Sequence, residues 1–216
     1  MKLRRAALAL VAATVAGSAA EAHPHVFVDA RAEIVFDGDG RIAALRNIWQ
    51  FDEAFTAFAV QGLDANNDGK LSDDELAPLA KVNIDSLKEY DFFTWLTAGK
   101  ESFKFVTPTE YWLEFHGGRL TLFYTLPLET PAQVGPKTTI EVFDPDYFVA
   151  FTFPKQGAVG LDGAPPGCSA AYKPPGELDD KTMAVLSAIP ADRPDLPPDL
   201  QQAASVLANL ILVSCS

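Results

Sequence analysis

From position 26 to position 36 every second residue is apolar: Val26, Val28, Ala30, Ala32, Ile34 and Phe36. Phe27, Asp29, Arg31 and Glu33 fall on the opposite parity. A period of two with one polar face predicts a half-buried strand over 25–36. Asp37-Gly38-Asp39-Gly40 supplies a hairpin turn, and residues 41–50 return as a second strand. The period then lengthens. Apolar positions at Phe51, Ala54, Phe55, Phe58, Ala59 and Leu63, and again at Leu76, Leu79, Ala80, Val82, Ile84 and Leu87, predict helices over 51–63 and 74–90. Residues 92–95 are aromatic and fit either type. Alternation resumes in 102–106, 110–116, 119–128 and 138–143, which predict antiparallel strands. Turns fall at 116–119 and 144–146, with a further strand over 147–153. The tail is Gly/Pro-rich over 158–175, with a short strand near 168–172. Helices are expected over 181–189 and 198–210, split by a proline-rich stretch at 190–197, and a short strand closes the chain at 210–215.

The expected fold class is therefore α+β. It is a mainly antiparallel β-sheet with an inserted EF-hand-like helix-loop-helix (about 51–90) and a helical, disulfide-tied C-terminal segment. The expected division is a signal peptide (1–22), a β-rich domain (23–157) carrying that insert, and a C-terminal segment (158–216) packed on the same domain. There is no internal repeat.

The two helices of the insert flank Asp64-Ala65-Asn66-Asn67-Asp68-Gly69-Lys70-Leu71-Ser72-Asp73-Asp74-Glu75. Asp, then Asn and Asp at steps of two, Gly, and Glu six residues later is the spacing of an EF-hand calcium loop. A hard cation takes six to eight oxygens. Asp64, Asn66 and Asp68 offer side-chain oxygens, Lys70 its backbone carbonyl, Ser72 a hydroxyl or a bound water, and Glu75 both carboxylate oxygens. Gly69 sits where the chain must reverse with positive φ. The plainer alternative is a solvated acidic turn, since Asp, Asn, Gly and Ser are ordinary loop residues. Six positions in register favour Ca²⁺. With three charged ligands and a single loop, the expected affinity is modest and the expected role structural rather than sensory.

The N-terminus carries Lys2, Arg4 and Arg5, an apolar run from Ala6 to Ala16, and Ala20-Glu21-Ala22. That order predicts a Sec-type signal peptide cut after Ala22, with a weaker cut after Ala19. No later apolar run approaches 18 residues, so an exported, soluble, periplasmic protein is expected, with no direct membrane insertion after cleavage. Cleavage exposes His23-Pro24-His25. The α-amine and the imidazoles of His23 and His25, with His116, form a candidate site for Zn²⁺, Ni²⁺, Co²⁺ or Cu²⁺. Asp29 or Glu114 are available to add a carboxylate. Pro24 has no N–H to lose, which blocks the square-planar mode that uses the second amide. The alternative is a frayed terminus whose histidines do nothing.

Composition narrows the classes. The 216-residue chain has a formal net charge of −12. Residues 1–22 carry Lys2, Arg4, Arg5 and Glu21, a net +2, so the mature chain sits near −14. Such a chain is not expected to seek nucleic acid or an anionic membrane. Cys168 and Cys215, an even count in an exported chain, predict a disulfide that closes a long loop and ties the C-terminal segment to the body; a thiol metal site is the rival. No Ser/His/Asp constellation, phosphate-binding glycine loop or carboxylate pair outside the calcium loop is visible, so no enzyme is expected.

Several segments in combination resemble a known family. They are His23-Pro24-His25-Val26-Phe27-Val28-Asp29, Trp49-Gln50-Phe51-Asp52-Glu53-Ala54-Phe55, the Asp/Asn-rich loop with Glu75-Leu76, Leu126-Pro127-Leu128, and Phe143-Asp144-Pro145-Asp146-Tyr147-Phe148. Across the whole mature chain they resemble a bacterial exported family known as domain of unknown function 1007. The resemblance implies a periplasmic component of an uncharacterised transport system for nickel, cobalt or zinc, with an inner-membrane permease as partner. The histidine pair after the signal peptide belongs to that resemblance, and no catalytic residue comes with it. Two functions stand side by side. One is a periplasmic metal-binding accessory protein serving divalent transition-metal transport, with a structural Ca²⁺ site. The other is a calcium-stabilised interaction module with no transition-metal role, using its tryptophans and phenylalanines as core and partner face.

Overall fold

The computed structural model describes residues 24–189 and 196–216. The expected signal peptide, His23 and most of the proline-rich stretch 190–197 lie outside the described residues. The chain begins with β1 (Val26–Phe36) and β2 (Ile42–Phe51), then α1 (Glu53–Ala59) and α2 (Asp73–Leu87). A 3₁₀ segment, Lys88–Phe93, leads to β3 (Thr94–Ala98) and β4 (Glu101–Phe103). β5 (Tyr111–His116), β6 (Arg119–Ala132) and β7 (Thr138–Val142) follow. The remainder is β8 (Val149–Thr152), β9 (Val159–Asp162), β10 (Cys168–Lys173), α3 (Asp180–Ser187), α4 (Pro198–Ala204) and β11 (Asn209–Cys215).

Two sheets form. The first runs β5-β6-β2-β1-β8, with β9 also on β1; the second runs β10-β11-β7-β3-β4. The alternation in β1 places Val28, Ala30, Ala32 and Ile34 inward, each at most 6 % exposed. One hydrophobic core joins this face to Leu96, Ile140, Val142, Ile211 and Val213 of the second sheet. The helical spacing in α2 buries Leu76, Ala80 and Ile84 in the same core. Each fully buried Leu or Ile there stabilises by about 1.5–3 kcal/mol.

The expected α+β class with a helical C-terminal segment is corrected: the chain is mostly β, in two sheets, with short helices. Beyond residue 157, three strands do most of the work. β9 pairs parallel to β1, and β11 lies between β10 and β7. The expected helix over 198–210 stops at Ala204, passes through a 3₁₀ turn, Ser205–Leu207, and gives way to strand. The reason is tertiary. Asn209, Ile211 and Val213 alternate inward and find partners on both edges, which outweighs the helical spacing of Leu200, Ala204 and Leu207. The sheets are not purely antiparallel either, since β8 and β9 both run parallel to β1. The helix expected over 51–63 is shortened at both ends. Phe51 still pairs with Val28 in the sheet, and Asp52 caps α1 by accepting from Phe55 N at 2.8 Å.

Cys168 and Cys215 form a disulfide and stand directly opposite each other in the β10–β11 ladder. The bond thus joins two C-terminal strands to each other; the link to the body is the β11–β7 pairing. The side chain of Asn209, 1 % exposed, adds a polar clamp. Its Nδ2 donates to Val142 O of the second sheet at 3.2 Å and to Phe151 O of the first at 3.1 Å. Its Oδ1 accepts from Tyr172 Oη at 2.8 Å.

Two outcomes are expected in chemical denaturation. Asn209→Ala strips a buried donor from two carbonyls and costs about 2–3 kcal/mol. Reducing the disulfide, which spans 47 residues, costs up to about 4 kcal/mol on the chain-entropy account.

Candidate functional site

The loop between α1 and α2 is curled on its own oxygens. Asp64 Oδ1 and Asn66 Oδ1 both accept from Asp68 N, at 3.1 and 2.8 Å. Asp64 Oδ2 accepts from Gly69 N at 3.0 Å, and Asp68 Oδ1 from Lys70 N at 2.8 Å. Gly69 has φ +78°, as the reversal requires. Glu75 closes the ring: Oε1 accepts from Ala65 N, and Oε2 from Ser72 N and Ser72 Oγ. Ser72 caps α2, and with Glu75 it makes a reciprocal capping box. The Ser72 N–H and hydroxyl hold the Glu75 carboxyl below the usual glutamate range. Its contribution to folding is therefore in place above the ordinary glutamate pKa and is lost as pH falls through the lowered value.

Asp64, Asn66, Asp68, Ser72 and Glu75, with the Lys70 carbonyl, are the residues that would hold a hard cation. The donor set is all oxygen, and each carboxylate keeps lone pairs beyond those given to N–H groups. Among the described residues no three His, Cys, Asp or Glu side chains gather closely enough to hold a metal ion. In this loop two of the six positions are amide and hydroxyl, one is backbone, and Glu75 is turned into its cap.

The histidines are not brought together. His25 sits half-buried just before β1, its ring 4.8 Å from that of Phe148. His116 is exposed at the end of β5. β6 and β2 lie between β5 and β1, so the two are roughly three strand spacings, about 14 Å, apart across the sheet. The carboxylates considered beside them are engaged elsewhere. Asp29 pairs with Arg119 at 2.8 Å, and Glu114 accepts from Trp112 Nε1 at 3.1 Å. The tryptophans divide. Trp49 is core, Trp95 packs on Phe143, and exposed Trp112 stacks flat on Phe123.

A site not singled out from the sequence lies beyond the last turn of α2. An open pocket of about 270 Å³ is lined by β1, β2, α1, the end of α2, the 3₁₀ segment and residues 144–149. Its floor is Val28, Trp49, Phe51 and Phe93, all under 7 % exposed; Ser86 and Tyr90 are exposed at its rim. The backbone around it is held in uncommon conformations. Asp91, Phe92 and Phe93 are consecutive residues at φ +50°, +54° and +49°, and Tyr147 is at +54°. Left-handed non-glycine residues cost about 1–2 kcal/mol each. Burial of Phe92 and Phe93, the Thr94 Oγ1 bond to Phe92 O, and Phe143 N donating to Phe93 O hold the run in place.

Asp144 organises the other wall. It is 5 % exposed, and its oxygens accept from Asp146 N, Phe148 N and Val149 N, each at 2.9 Å. Burial pushes its carboxyl up, against the pull of those N–H groups. Asp146 Oδ1 accepts from Leu196 N and Gln201 Nε2, at 2.8 Å each, and so pins α4 to the same turn. The 143–148 segment was visible as a family-like motif, but nothing in its residue types alone told that it shapes a cavity.

The comparisons with known proteins agree on kinship and are silent on activity. An uncharacterised 15.5 kDa protein from the trpE 3′ region of Spirochaeta aurantia is 32 % identical over 98 residues, 45 % of this chain and 70 % of its own length. An uncharacterised protein of Haemophilus influenzae is 24 % identical over 174 residues, 78 % of this chain and 80 % of its own. A family model matches residues 8–215, and the chain belongs to that family, described as protein of unknown function (DUF1007).

Proposed function

We propose that this protein is a calcium-stabilised, exported binding module. Residues 64–75 hold Ca²⁺, the ion fixes the first turn of α2, and α2 carries that order to the cavity at its other end. One observation supports this best: the oxygen-only loop is closed by Glu75, which is also the N3 residue of the helix whose Asn83, Ser86 and Leu87 line the cavity. The export part of the proposal rests on the leader-like residues 1–22. Among the described residues no helix is long and apolar enough to cross a membrane. We place this reading ahead of a transition-metal accessory role because His25, just before β1, and His116, at the end of β5, have β2 and β6 between them.

Calcium in excess stabilises a single-site protein by mass action. At one hundred times its Kd the gain is about 2.7 kcal/mol, or roughly 5–10 °C in melting temperature for a chain of this size. Scanning calorimetry with Ca²⁺ against a chelator is expected to show that rise. Glu75→Gln is expected to abolish it and to lower the calcium-free melting temperature slightly, because Gln completes a capping box but loses the charge and the second acceptor that Ser72 and Ala65 use. A melting temperature indifferent to calcium sinks the proposal.

The accessory role has its own measurement. A Zn²⁺ and Ni²⁺ titration of protein with the free His23 terminus, beside one with a residue added ahead of His23, is expected to give weak, equal binding. Tight binding by the free terminus alone would restore the α-amine and imidazoles as ligands.

A further inference from the structure

The pocket beyond the last turn of α2 combines aromatic rings with charge of one sign. Phe51 and Phe55 stand with ring centroids 4.7 Å apart, and Tyr90 is stacked on Phe93 at 5.3 Å. All four line the pocket, and Phe148 joins them from the 144–149 turn. Phe55 and Phe148 are half-buried and Tyr90 is 49 % exposed, so ring surface is open to an entering molecule. Among the described lining residues none is basic and two are acidic, Asp144 and Asp146, in a chain of formal net charge −12.

The two carboxylates differ. Asp144 is buried, and its oxygens are engaged by three backbone N–H groups. Asp146 is only half-buried. Its Oδ1 accepts from Leu196 N and Gln201 Nε2, while its Oδ2 takes no hydrogen bond among the described residues. No described Lys or Arg pairs with it either. Its negative charge therefore stands without a counter-ion beside the rings.

That combination selects among ligand classes. The face of an aromatic ring is negative and attracts a cation within about 6 Å of its centre. An anion meets like charge in apolar surroundings, which is costly, and a neutral apolar molecule makes no use of the field. A bare metal ion or ammonium would give up its hydration to a wall that is mostly apolar. A cation whose charge is wrapped in methyl groups meets neither objection. The volume of about 270 Å³ is near the lower end of the roughly 300–1,000 Å³ range of small-molecule sites, and it exceeds the roughly 150 Å³ that holds a benzene-sized ligand.

We infer that this pocket binds a small organic cation, a quaternary or fully alkylated ammonium whose charge lies among the Phe51, Phe55, Tyr90, Phe93 and Phe148 rings and near the Asp146 carboxylate. The inference names a ligand class for the binding module proposed above and rests on that reading.

The test compares choline with 3,3-dimethylbutan-1-ol, which has the same shape and no charge, on the calcium-saturated full-length protein. Calorimetry is expected to show one choline site, about tenfold tighter than the neutral alcohol. Asp146→Asn keeps the Oδ1 acceptor and removes the charge. It is expected to weaken choline about fivefold and leave the alcohol unchanged. Tyr90→Leu removes an exposed rim ring at constant charge, and is expected to weaken choline severalfold; it carries the test should Asp146→Asn fail to fold. Equal binding of choline and alcohol by the unaltered protein overturns the inference, as does no choline binding. Choline binding that neither variant changes is general attraction to an acidic chain and overturns it too. Calcium is read separately by melting temperature. Choline binding in a protein indifferent to calcium overturns the calcium reading and leaves the site standing. A calcium-dependent melting temperature with no choline bound does the reverse.

Discussion

The amide of Asn209 is the point on which the two-sheet arrangement depends. Two sheets sharing one core are held mainly by undirected apolar contact, which sets distance but not register. Asn209 supplies direction. One amide nitrogen reaches a carbonyl of β7 in the second sheet and a carbonyl of β8 in the first, while its oxygen takes the Tyr172 hydroxyl of β10. All three partners are then fixed relative to a single buried group whose desolvation is repaid only in that geometry. The disulfide lies at the far end of the same β10–β11 ladder, so the last strand is tied by a polar clamp at its start and a covalent bond at its finish.

With the last strand fixed, the turn at 144–149 is fixed too, because it runs directly from β7 to β8. Asp144 folds that turn around its carboxylate, and Asp146 holds the chain at Leu196 and Gln201. The price of burying Asp144 is seen in its raised pKa, and three N–H bonds offset it. The result is a stiff wall. The left-handed residues 91–93 adjoin it, with Phe93 O accepting from Phe143 N, and Phe93 lines the same apolar pocket. Close-packed interiors normally leave few voids larger than a water molecule.

How much of this was legible in the sequence follows from the range of each interaction. β1, β2, β5 and β6 were readable because their alternation is local and their turns carry glycine or aspartate at the needed places. The turn at 64–75 and its helix cap were readable for the same reason, since their hydrogen-bonding partners lie within twelve residues. β9 was not, because Val159–Asp162 becomes a strand only through its pairing with β1, more than a hundred residues earlier. The terminal helix was overextended because helical spacing and strand alternation coincide near Leu207 and Leu210, and only the waiting edges of β7 and β10 decide between them. His25 and His116 stand apart for a related reason. Proximity to a chain terminus says nothing about which strand separates them, and β2 and β6 do.

The cation loop and the cavity are physically continuous through α2. Fifteen residues of helix span about 22 Å, from the Ser72–Glu75 cap to the Leu87 side chain in the cavity wall. Leu76, Ala80 and Ile84 seat that rod in the core along its whole length, so order imposed at the first turn is carried by packed side chains rather than by a flexible connector. A helix this short is marginal in isolation. Its N-terminal cap and its buried stripe must both be made, and in the proposed function calcium acts on the first of these. On that proposal the loop is a clamp on the helix that forms one wall of the pocket.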